Sequence, residues 1–328
     1  MKKIHIFHHD DADGYAAGYL AYKYETERVE NDSTIKTYDI NYNKEFPLEL
    51  INSEDKVYIL DYSIHPSDMI KLLRITKNVI WIDHHISSIE KYDDWNDLIE
   101  KASGLESIKG IRVNGISGCA LTYLYLFNHW NEDALIEFRD TISTENELVT
   151  TLTKDFEDSA PKYLQYINDW DIWCHKFPES EILQIAIANI LSIDLMLNLD
   201  LDTDESNLNK LLEKGKCYIE YRNQWSDQFM KRYAFETVLE YIDGSYKHIL
   251  VANLGNANSK FFGNRISCYD AVVTQCFNGD IWNFSIYSED EDFDCSLVAK
   301  YFGGGGHKGA AGFTSKNPFT KSIVLMRE

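Results

Sequence analysis

The sequence predicts an α/β protein, with a mostly parallel-sheet N-terminal domain followed by a smaller C-terminal α/β domain. Two observations predict this class. Short apolar runs alternate with helical patterns over the first 85 residues, and strand-like runs return after about residue 240. The early apolar runs are nearly continuous, which is typical of strands that are covered on both faces of a parallel sheet.

Strand and helix patterns follow one another in the first part of the chain. The predicted strands are KKIHIFHH, STIKTYDI, the run VYIL that ends at Asp61, and the run VIWI that ends at Asp83. GYAAGYLAYKYET and SDMIKLLRI have apolar residues at helical spacing, and Ser67 is a candidate N-cap for the second helix. This order favours parallel strands that are joined by crossover helices.

From about residue 117 to 190 the pattern becomes helical, in SGCALTYLYLFNHW, PKYLQYINDWDIW and EILQIAIANIL. Residues 204–240 are charged and contain no proline, which predicts a connecting helix. HILVANL, DAVVTQCF and DIWNFSIYS then predict strands. We therefore expect a first domain over residues 1–195, a helical connector over 196–240 and a second domain over 241–328.

The bulk composition limits the functions that are open to this chain. Its 328 residues carry 32 Lys and Arg against 53 Asp and Glu, a net charge of −21, whereas proteins that grip long nucleic acid need a basic surface. No apolar stretch approaches the roughly 18 residues of a membrane helix, and IHIF is too short for a signal peptide, so we expect a cytoplasmic protein. The six cysteines include no CxxC pair and are expected to be reduced packing residues.

Ionisable side chains directly follow three of the predicted strands. The first strand ends in FHHDDADG, the third ends at Asp61, and the fourth ends at residues 83–85, DHH. The carboxyl ends of parallel strands lie at one edge of a sheet, where ligands bind, so these clusters are expected to converge. A solvated acidic turn would explain one such cluster, but three in phase indicate a shared site.

The donor types indicate divalent cations. Carboxylate oxygens mixed with imidazole nitrogens, without thiolates, suit Mn²⁺ or Mg²⁺ better than structural zinc. The number of carboxylates suits two ions, and a pair of ions about 4 Å apart is the usual device for hydrolysing phosphate esters.

Four motifs in order carry a specific resemblance. They are H-x-D-x-D-G at residues 9–14, LDYS around Asp61, DHH at residues 83–85 and GGGGHKGAAG at residues 303–312. The chain resembles the DHH phosphoesterase family with a type-1 DHH-associated C-terminal domain, over essentially its whole length. The relatives of this family include RecJ-like exonucleases, nanoRNases and cyclic-dinucleotide phosphodiesterases.

The resemblance implies a metal-ligand set, in which Asp61 bridges two ions and Asp169 in YINDWDIW is the best match to a fourth motif. Asp171 is the alternative for that motif, and His8 is the alternative to His9. Asp83 would orient an imidazole, and His85 would face the substrate phosphate. The implied metal ligands are His9, Asp11, Asp13, Asp61, His84 and Asp169. Trp170 and Trp173 flank the fourth motif, where they either pack in the core or stack on a base.

The glycine-rich segment lacks the continuation of a dinucleotide fingerprint or a P-loop. Glycines let backbone N–H groups approach an anion, and we expect a helix N-terminus at HKGAA to add its dipole. By resemblance this loop binds substrate. The family's arginine–serine pair is replaced here by Tyr287 and Ser288, so Arg265 is a candidate replacement for the arginine. The substrate-binding candidates are Gly304, Gly305, Gly306, His307 and Arg265.

The resemblance implies an Mn²⁺-dependent phosphodiesterase or phosphatase that hydrolyses short oligonucleotides or nucleotide phosphates by a two-metal hydroxide mechanism, in the cleft between the domains. Mg²⁺ and Co²⁺ are alternative ions. A single-strand exonuclease and a cyclic-dinucleotide phosphodiesterase are alternative functions, and a non-catalytic nucleotide-binding protein is the alternative from another class. Long duplex nucleic acid and membranes are not expected partners, and a homodimer stays open.

Overall fold

The structure, a computed structural model, contains two compact units, Met1–Lys216 and Cys217–Glu328. It describes residues 2–28, 33–42, 44–93, 95–105, 107–141, 144–188, 192, 193, 196, 205–255 and 257–325. Among these residues, no helix combines the length and apolar character that crossing a membrane requires.

A four-stranded parallel sheet organises the first unit. Its strands are β1 (Lys3–His9), β2 (Thr34–Ile40), β3 (Lys56–Leu60) and β4 (Val79–Ile82). They are arranged in the order β2-β1-β3-β4, and each neighbouring pair is parallel. The predicted parallel sheet is thus confirmed, with its strands at the predicted places.

Helices cover both faces of this sheet. Side chains alternate between the two faces along each strand, and both faces carry apolar side chains that are buried. Tyr58 and Leu60 of β3 belong to one buried cluster, while Val57 and Ile59 belong to a second cluster on the other face. The helices of the first unit are α1 (Ala12–Thr26), α2 (Pro66–Ile75), α3 (Ile86–Asp93), α4 (Asn96–Ser103), α5 (Gly118–Phe127), α6 (Glu132–Thr141), α7 (Glu145–Ser159), α8 (Lys162–Asp171) and α9 (Pro178–Ile187), with a 3-10 turn at Leu48–Leu50.

The second unit contains a mixed sheet, which confirms a second α/β region. Helix α10 (Glu205–Tyr233) precedes it, and the division between the two units falls within this helix. The strands lie in the order β11-β5-β6-β7-β8-β10-β9. They are β5 (Ala234–Glu240), β6 (Tyr246–Ala252), β7 (Ala271–Phe277), β8 (Trp282–Tyr287), β9 (Gly305–Gly306), β10 (Ala310–Ser315) and β11 (Val324–Leu325), with a 3-10 segment at Ser259–Cys268 and α11 at Cys295–Tyr301. The three-part division at residues 195 and 240 stays a prediction.

Candidate metal centre

The strand register brings the ends of three neighbouring strands side by side. His8 of β1 is paired with Leu60 of β3, and Leu60 is paired with Ile82 of β4. The next residue of each strand is therefore His9, Asp61 or Asp83. The convergence expected from the sequence follows directly from this pairing.

The first donor group consists of His9, Asp11 and Asp61, whose ligand atoms lie within 4.8 Å of one another. Asp11 is the N-cap of α1, since its Oδ1 accepts a hydrogen bond from Gly14 N at 2.9 Å. Its Oδ2 lies 2.7 Å from His9 Nδ1. Burial disfavours charge on both groups, yet this hydrogen bond raises the pKa of His9 and lowers the pKa of Asp11.

The second donor group consists of Asp13, His84 and Asp171, again with ligand atoms within 4.8 Å of one another. His84 Nε2 lies 3.4 Å from Asp171 Oδ2, 3.8 Å from Asp13 Oδ2 and 3.2 Å from Asp61 Oδ1. Burial lowers the pKa of His84, which favours the neutral imidazole that a metal requires.

Asp61 lies between the two groups in an environment that is unfavourable for a carboxylate. Its side chain is 1% exposed, and neither of its oxygens has a hydrogen-bond partner in the described part of the chain. Its backbone φ is +52°, in the left-handed region that costs a non-glycine residue energy and is associated with functional sites. Burial and the neighbouring Asp13 and Asp11 raise the pKa of Asp61 well above its usual value.

These residues fit divalent cations. A buried carboxylate without a partner is costly, and it persists where something outside the protein chain compensates for it. Asp171 Oδ2 is another buried carboxylate oxygen without a hydrogen-bond partner in the described residues, and burial together with Asp13 raises the pKa of Asp171. Oxygen and imidazole donors in this arrangement suit Mn²⁺ or Mg²⁺. Asp61, His84 and His85 form a third group of donors within 4.8 Å.

Asp83 supports the DHH segment instead of joining the donor groups. Its Oδ1 accepts hydrogen bonds from His84 N at 2.8 Å and from His85 Nδ1 at 2.7 Å, and its Oδ2 accepts one from the Ser63 hydroxyl. Burial opposes its charge, yet the bond to His85 keeps the pKa of Asp83 below the ordinary value. The same bond raises the pKa of His85.

Asp169 does not reach the cluster. Its carboxylate accepts hydrogen bonds from Lys176 N at 2.7 Å, Phe177 N at 3.2 Å and the Ser180 hydroxyl at 2.5 Å, which tie the end of α8 to the start of α9. Asp171, two residues later, lies beside His84. Of the two alternatives for the fourth motif, Asp171 is the one that belongs to a donor group in the described residues.

The structure also shows the surroundings of His8, Trp170 and Trp173. His8 is 1% exposed, packs its ring against Gly18 and Tyr15 and does not belong to a donor group in the described residues. Trp170 and Trp173 contact each other, with ring centroids 4.9 Å apart, and Trp173 is half exposed.

The N-terminus of α5 also belongs to the site. This contribution was not predicted from the sequence. Backbone N–H groups of Gly118 and Cys119 donate to the two oxygens of Asp13 at 2.6 and 2.8 Å, where the positive end of the helix dipole favours a carboxylate. A Cβ at position 118 would lie 2.5 Å from Asp61 Cβ and 2.8 Å from its Oδ1. Glycine is therefore required for this close approach. In the sequence, the helical spacing of SGCALTYLYLFNHW predicts the helix but not the contact that its first residues make.

The substrate-binding candidates all lie in the second unit. Arg265 Nη2 pairs with Asp227 Oδ1 at 2.8 Å. The expected helix at HKGAA is wrong, because Gly305 and Gly306 form β9 and pair antiparallel with β10, which begins at Ala310. His307 lies exposed in the turn of this hairpin, and Gly304 packs against the backbone of β10. Without a helix at this point, the expected helix dipole does not contribute to anion binding.

Comparison with known proteins finds a family model that matches most of the first unit and a protein that is similar to nearly the whole chain. A family model described as the DHH family, N-terminal domain, matches residues 3–169. The uncharacterized protein R106 of Acanthamoeba polyphaga mimivirus is 22% identical over 94% of this chain and 66% of its own length. This chain therefore spans about two thirds of that viral relative.

Two solved structures align with nearly the whole chain at low sequence identity. RecJ of Thermus thermophilus, solved in complex with Mn²⁺, aligns with 98% of this chain and 53% of its own, at 14% identity and a TM-score of 0.50. This chain thus spans about half the length of that protein. The pGpG-specific phosphodiesterase PggH of Vibrio cholerae aligns with 96% of this chain and 93% of its own, at 11% identity and a TM-score of 0.47.

Proposed function

The chain belongs to the DHH family, and on that premise we propose that it is a metal-dependent phosphoesterase that hydrolyses short oligonucleotides or nucleotide phosphates. Two divalent cations, with Mn²⁺ preferred over Mg²⁺ or Co²⁺, would be held by His9, Asp11 and Asp61 on one side and by Asp13, Asp61, His84 and Asp171 on the other.

The observation that carries this proposal is the buried Asp61 carboxylate, which has no hydrogen-bond partner in the described chain and lies between two sets of donors. Burial and the neighbouring carboxylates raise the pKa of Asp61, so they disfavour its charged form, which a bound cation would stabilise. When bound, such a pair of cations activates water near neutral pH and stabilises charge on the phosphoryl oxygens. Asp61 would hold the two ions at a fixed separation.

His85 is suited to contact the substrate phosphate. Its Nδ1 donates to Asp83, which fixes the ring orientation and leaves Nε2 available. The raised pKa of His85 favours the form that carries a proton on Nε2. That proton can be donated to a phosphoryl oxygen or to the leaving oxygen.

The charge of the chain supports a short substrate. With a net charge of −21, the protein offers little general attraction for a long polyanion, so binding would depend on local contacts. RecJ of Thermus thermophilus was solved in complex with Mn²⁺ and also in complex with Mg²⁺, so both ions are candidates for this chain.

Asp61→Asn is expected to lower Mn²⁺-dependent hydrolysis by about two orders of magnitude or more, because it neutralises the bridging carboxylate while keeping its shape. Di- to pentanucleotides, 3′-phosphoadenosine 5′-phosphate, cyclic dinucleotides and a long single strand would be assayed with Mn²⁺, with circular dichroism as a check of folding. Asp10→Asn is the matched control, since Asp10 is an exposed carboxylate that follows β1 at the same edge of the sheet. Undiminished hydrolysis by Asp61→Asn, or wild-type protein that binds Mn²⁺ but hydrolyses none of these substrates, would contradict the proposal.

A further inference from the structure

A cavity of about 490 Å³ adjoins the metal centre within the first unit. It is lined by residues of four segments: the loop after β2, the loop after β3, the start of α2, and α3. This volume is typical of small-molecule sites. The cavity contains none of the residues that the metal-centre prediction assigned.

Aromatic rings form part of the cavity wall. The Tyr42 ring packs on the Tyr62 ring with centroids 4.6 Å apart, and Tyr42 is 54% exposed while Tyr62 is 5% exposed. One face of Tyr42 is therefore supported from below, and much of its remaining surface is accessible. A supported and accessible ring is the arrangement on which nucleobases stack.

The wall behind these rings is preformed. Trp81 Nε1 donates to the Tyr62 carbonyl at 3.0 Å, and the Tyr92 hydroxyl donates to the Ile64 carbonyl at 2.7 Å. The Trp81 and Tyr92 rings also contact each other, with centroids 4.2 Å apart. The loop after β3 is thus held by the core, which lowers the entropy cost of binding a ligand.

Two lysines and two carboxylates line this cavity. Lys44 and Lys91 line it, and neither forms an ion pair within the described part of the chain. Glu45 and Asp68 also line it, but the charge of Asp68 is offset by Lys71, whose Nζ lies 2.7 Å away. Because Asp68 is paired with Lys71, Lys44 and Lys91 are available to hold an anionic group such as a phosphate.

Direct contacts join the cavity to the metal centre. The ring centroids of Tyr42 and Tyr62 lie 5.9 and 6.3 Å from that of His9. Ser63, which lines the cavity, donates its hydroxyl proton to Asp83, the partner of His85. A ligand in the cavity would therefore lie next to the reacting phosphate.

We infer that this cavity binds one nucleotide unit of the substrate, with its base stacked on Tyr42 and its phosphate held by Lys44 and Lys91. The inference rests on the proposed function and names the substrate class of that site: a phosphate ester that carries a nucleobase. Stacking accepts any base, so the cavity selects nucleotides over other phosphate esters without reading sequence.

The test compares two phosphate monoesters that differ only in the base. Adenosine 5′-monophosphate and ribose 5-phosphate are titrated calorimetrically into the full chain with Mn²⁺, and phosphate release is checked in each sample. The metal ions contribute equally to both ligands, so the ratio of the two dissociation constants reports the base. We expect the nucleotide to bind about ten-fold more tightly.

Tyr42→Ala is expected to remove most of that ratio, and Tyr42→Phe to retain it because the ring remains. Tyr221→Ala is the matched control, since Tyr221 is 70% exposed and lies in the second unit. Lys44→Gln and Lys91→Gln should weaken both ligands and leave the ratio unchanged. Equal affinities in the wild-type protein, or an unchanged ratio in folded Tyr42→Ala, would overturn the inference.

Hydrolysis of dinucleotides by the wild-type protein is measured in parallel. If the protein hydrolyses dinucleotides but binds both titrated ligands equally, the inference about the cavity is rejected and the proposed phosphoesterase activity is retained. If the protein prefers the nucleotide but hydrolyses no substrate, the proposed phosphoesterase activity is rejected. The inference about the cavity still stands in that case, provided that Tyr42→Ala loses the preference.

Discussion

Asp171→Asn is expected to weaken Mn²⁺ binding while stabilising the metal-free chain. The two effects have opposite signs because the proposed metal ligand is also a source of charge repulsion in the metal-free chain. The donor atoms of Asp171 and Asp13 lie within 4.8 Å of each other. Two unit charges at that separation repel by about 3.5 kcal/mol at an effective dielectric constant of about 20. The raised pKa of Asp171 allows partial protonation, which relieves part of this repulsion.

We therefore expect the metal-free variant to gain about 1–3 kcal/mol at neutral pH, which raises the melting temperature by several degrees. Loss of a residue that only supports a ligand costs about 10–100-fold in metal affinity, and loss of a ligand should cost at least that. Asp169→Asn is the matched comparison. It removes charge-assisted hydrogen bonds to Lys176 N and Ser180 Oγ, each worth about 1.5–3 kcal/mol, and should destabilise the chain without changing Mn²⁺ affinity.

The assay is calorimetric titration with Mn²⁺, together with thermal unfolding in EDTA, for both variants and the wild-type chain. Asp171→Asn should bind Mn²⁺ weakly and melt higher, whereas Asp169→Asn should bind normally and melt lower. The reasoning is refuted if Asp169→Asn loses Mn²⁺ affinity while Asp171→Asn binds like the wild-type chain.

Three further predictions concern the same site. Gly118→Ala places a Cβ 2.5 Å from Asp61 Cβ, so it should cost about 1–3 kcal/mol of stability and at least ten-fold in Mn²⁺ affinity; wild-type affinity by calorimetry would contradict this. The pKa values of Asp61 and Asp171 are raised in the folded chain, so their contribution to stability is complete below the ordinary carboxyl pKa and is lost as pH rises through the folded values. Unfolding in EDTA should therefore occur at lower temperature as pH rises toward neutral, the shift caused by Mn²⁺ should grow, and an equal Mn²⁺ shift at all pH values would disprove it. His85→Gln should lower kcat by about 10²–10⁴-fold with little change in Mn²⁺ affinity, and an unchanged kcat would exclude proton donation by His85.

The strand ends illustrate what could be predicted. Apolar runs that end at His9, Asp61 and Asp83 have a recognisable pattern, and parallel pairing necessarily brings their ends together. The glycine run illustrates the opposite case. Glycine permits many backbone conformations, so the segment around Gly305 was compatible with a helix start, whereas pairing with β10 made it a strand.

Asp169 and Asp171 show why the ligand set was only partly predictable. Successive residues of a helix are rotated by about 100°, so side chains two positions apart point in nearly opposite directions. The letters DWD do not reveal which side of α8 faces the cluster. That depends on how α8 packs, with Asn168 accepting a hydrogen bond from Ser117 N at 2.9 Å across 51 positions of the chain.

The sequence by itself determined the α/β class, the parallel sheet and the chemistry at its edge, because the period of apolar residues reports local backbone geometry and strand ends have fixed neighbours. Only the tertiary structure decided that Asp171 reaches the cluster, that Gly118 allows α5 to approach Asp61, and that Tyr42 and Lys91 share a cavity. Those facts depend on contacts between residues distant in the chain, where side-chain burial and the lack of a hydrogen-bond partner arise from packing and have no local signal.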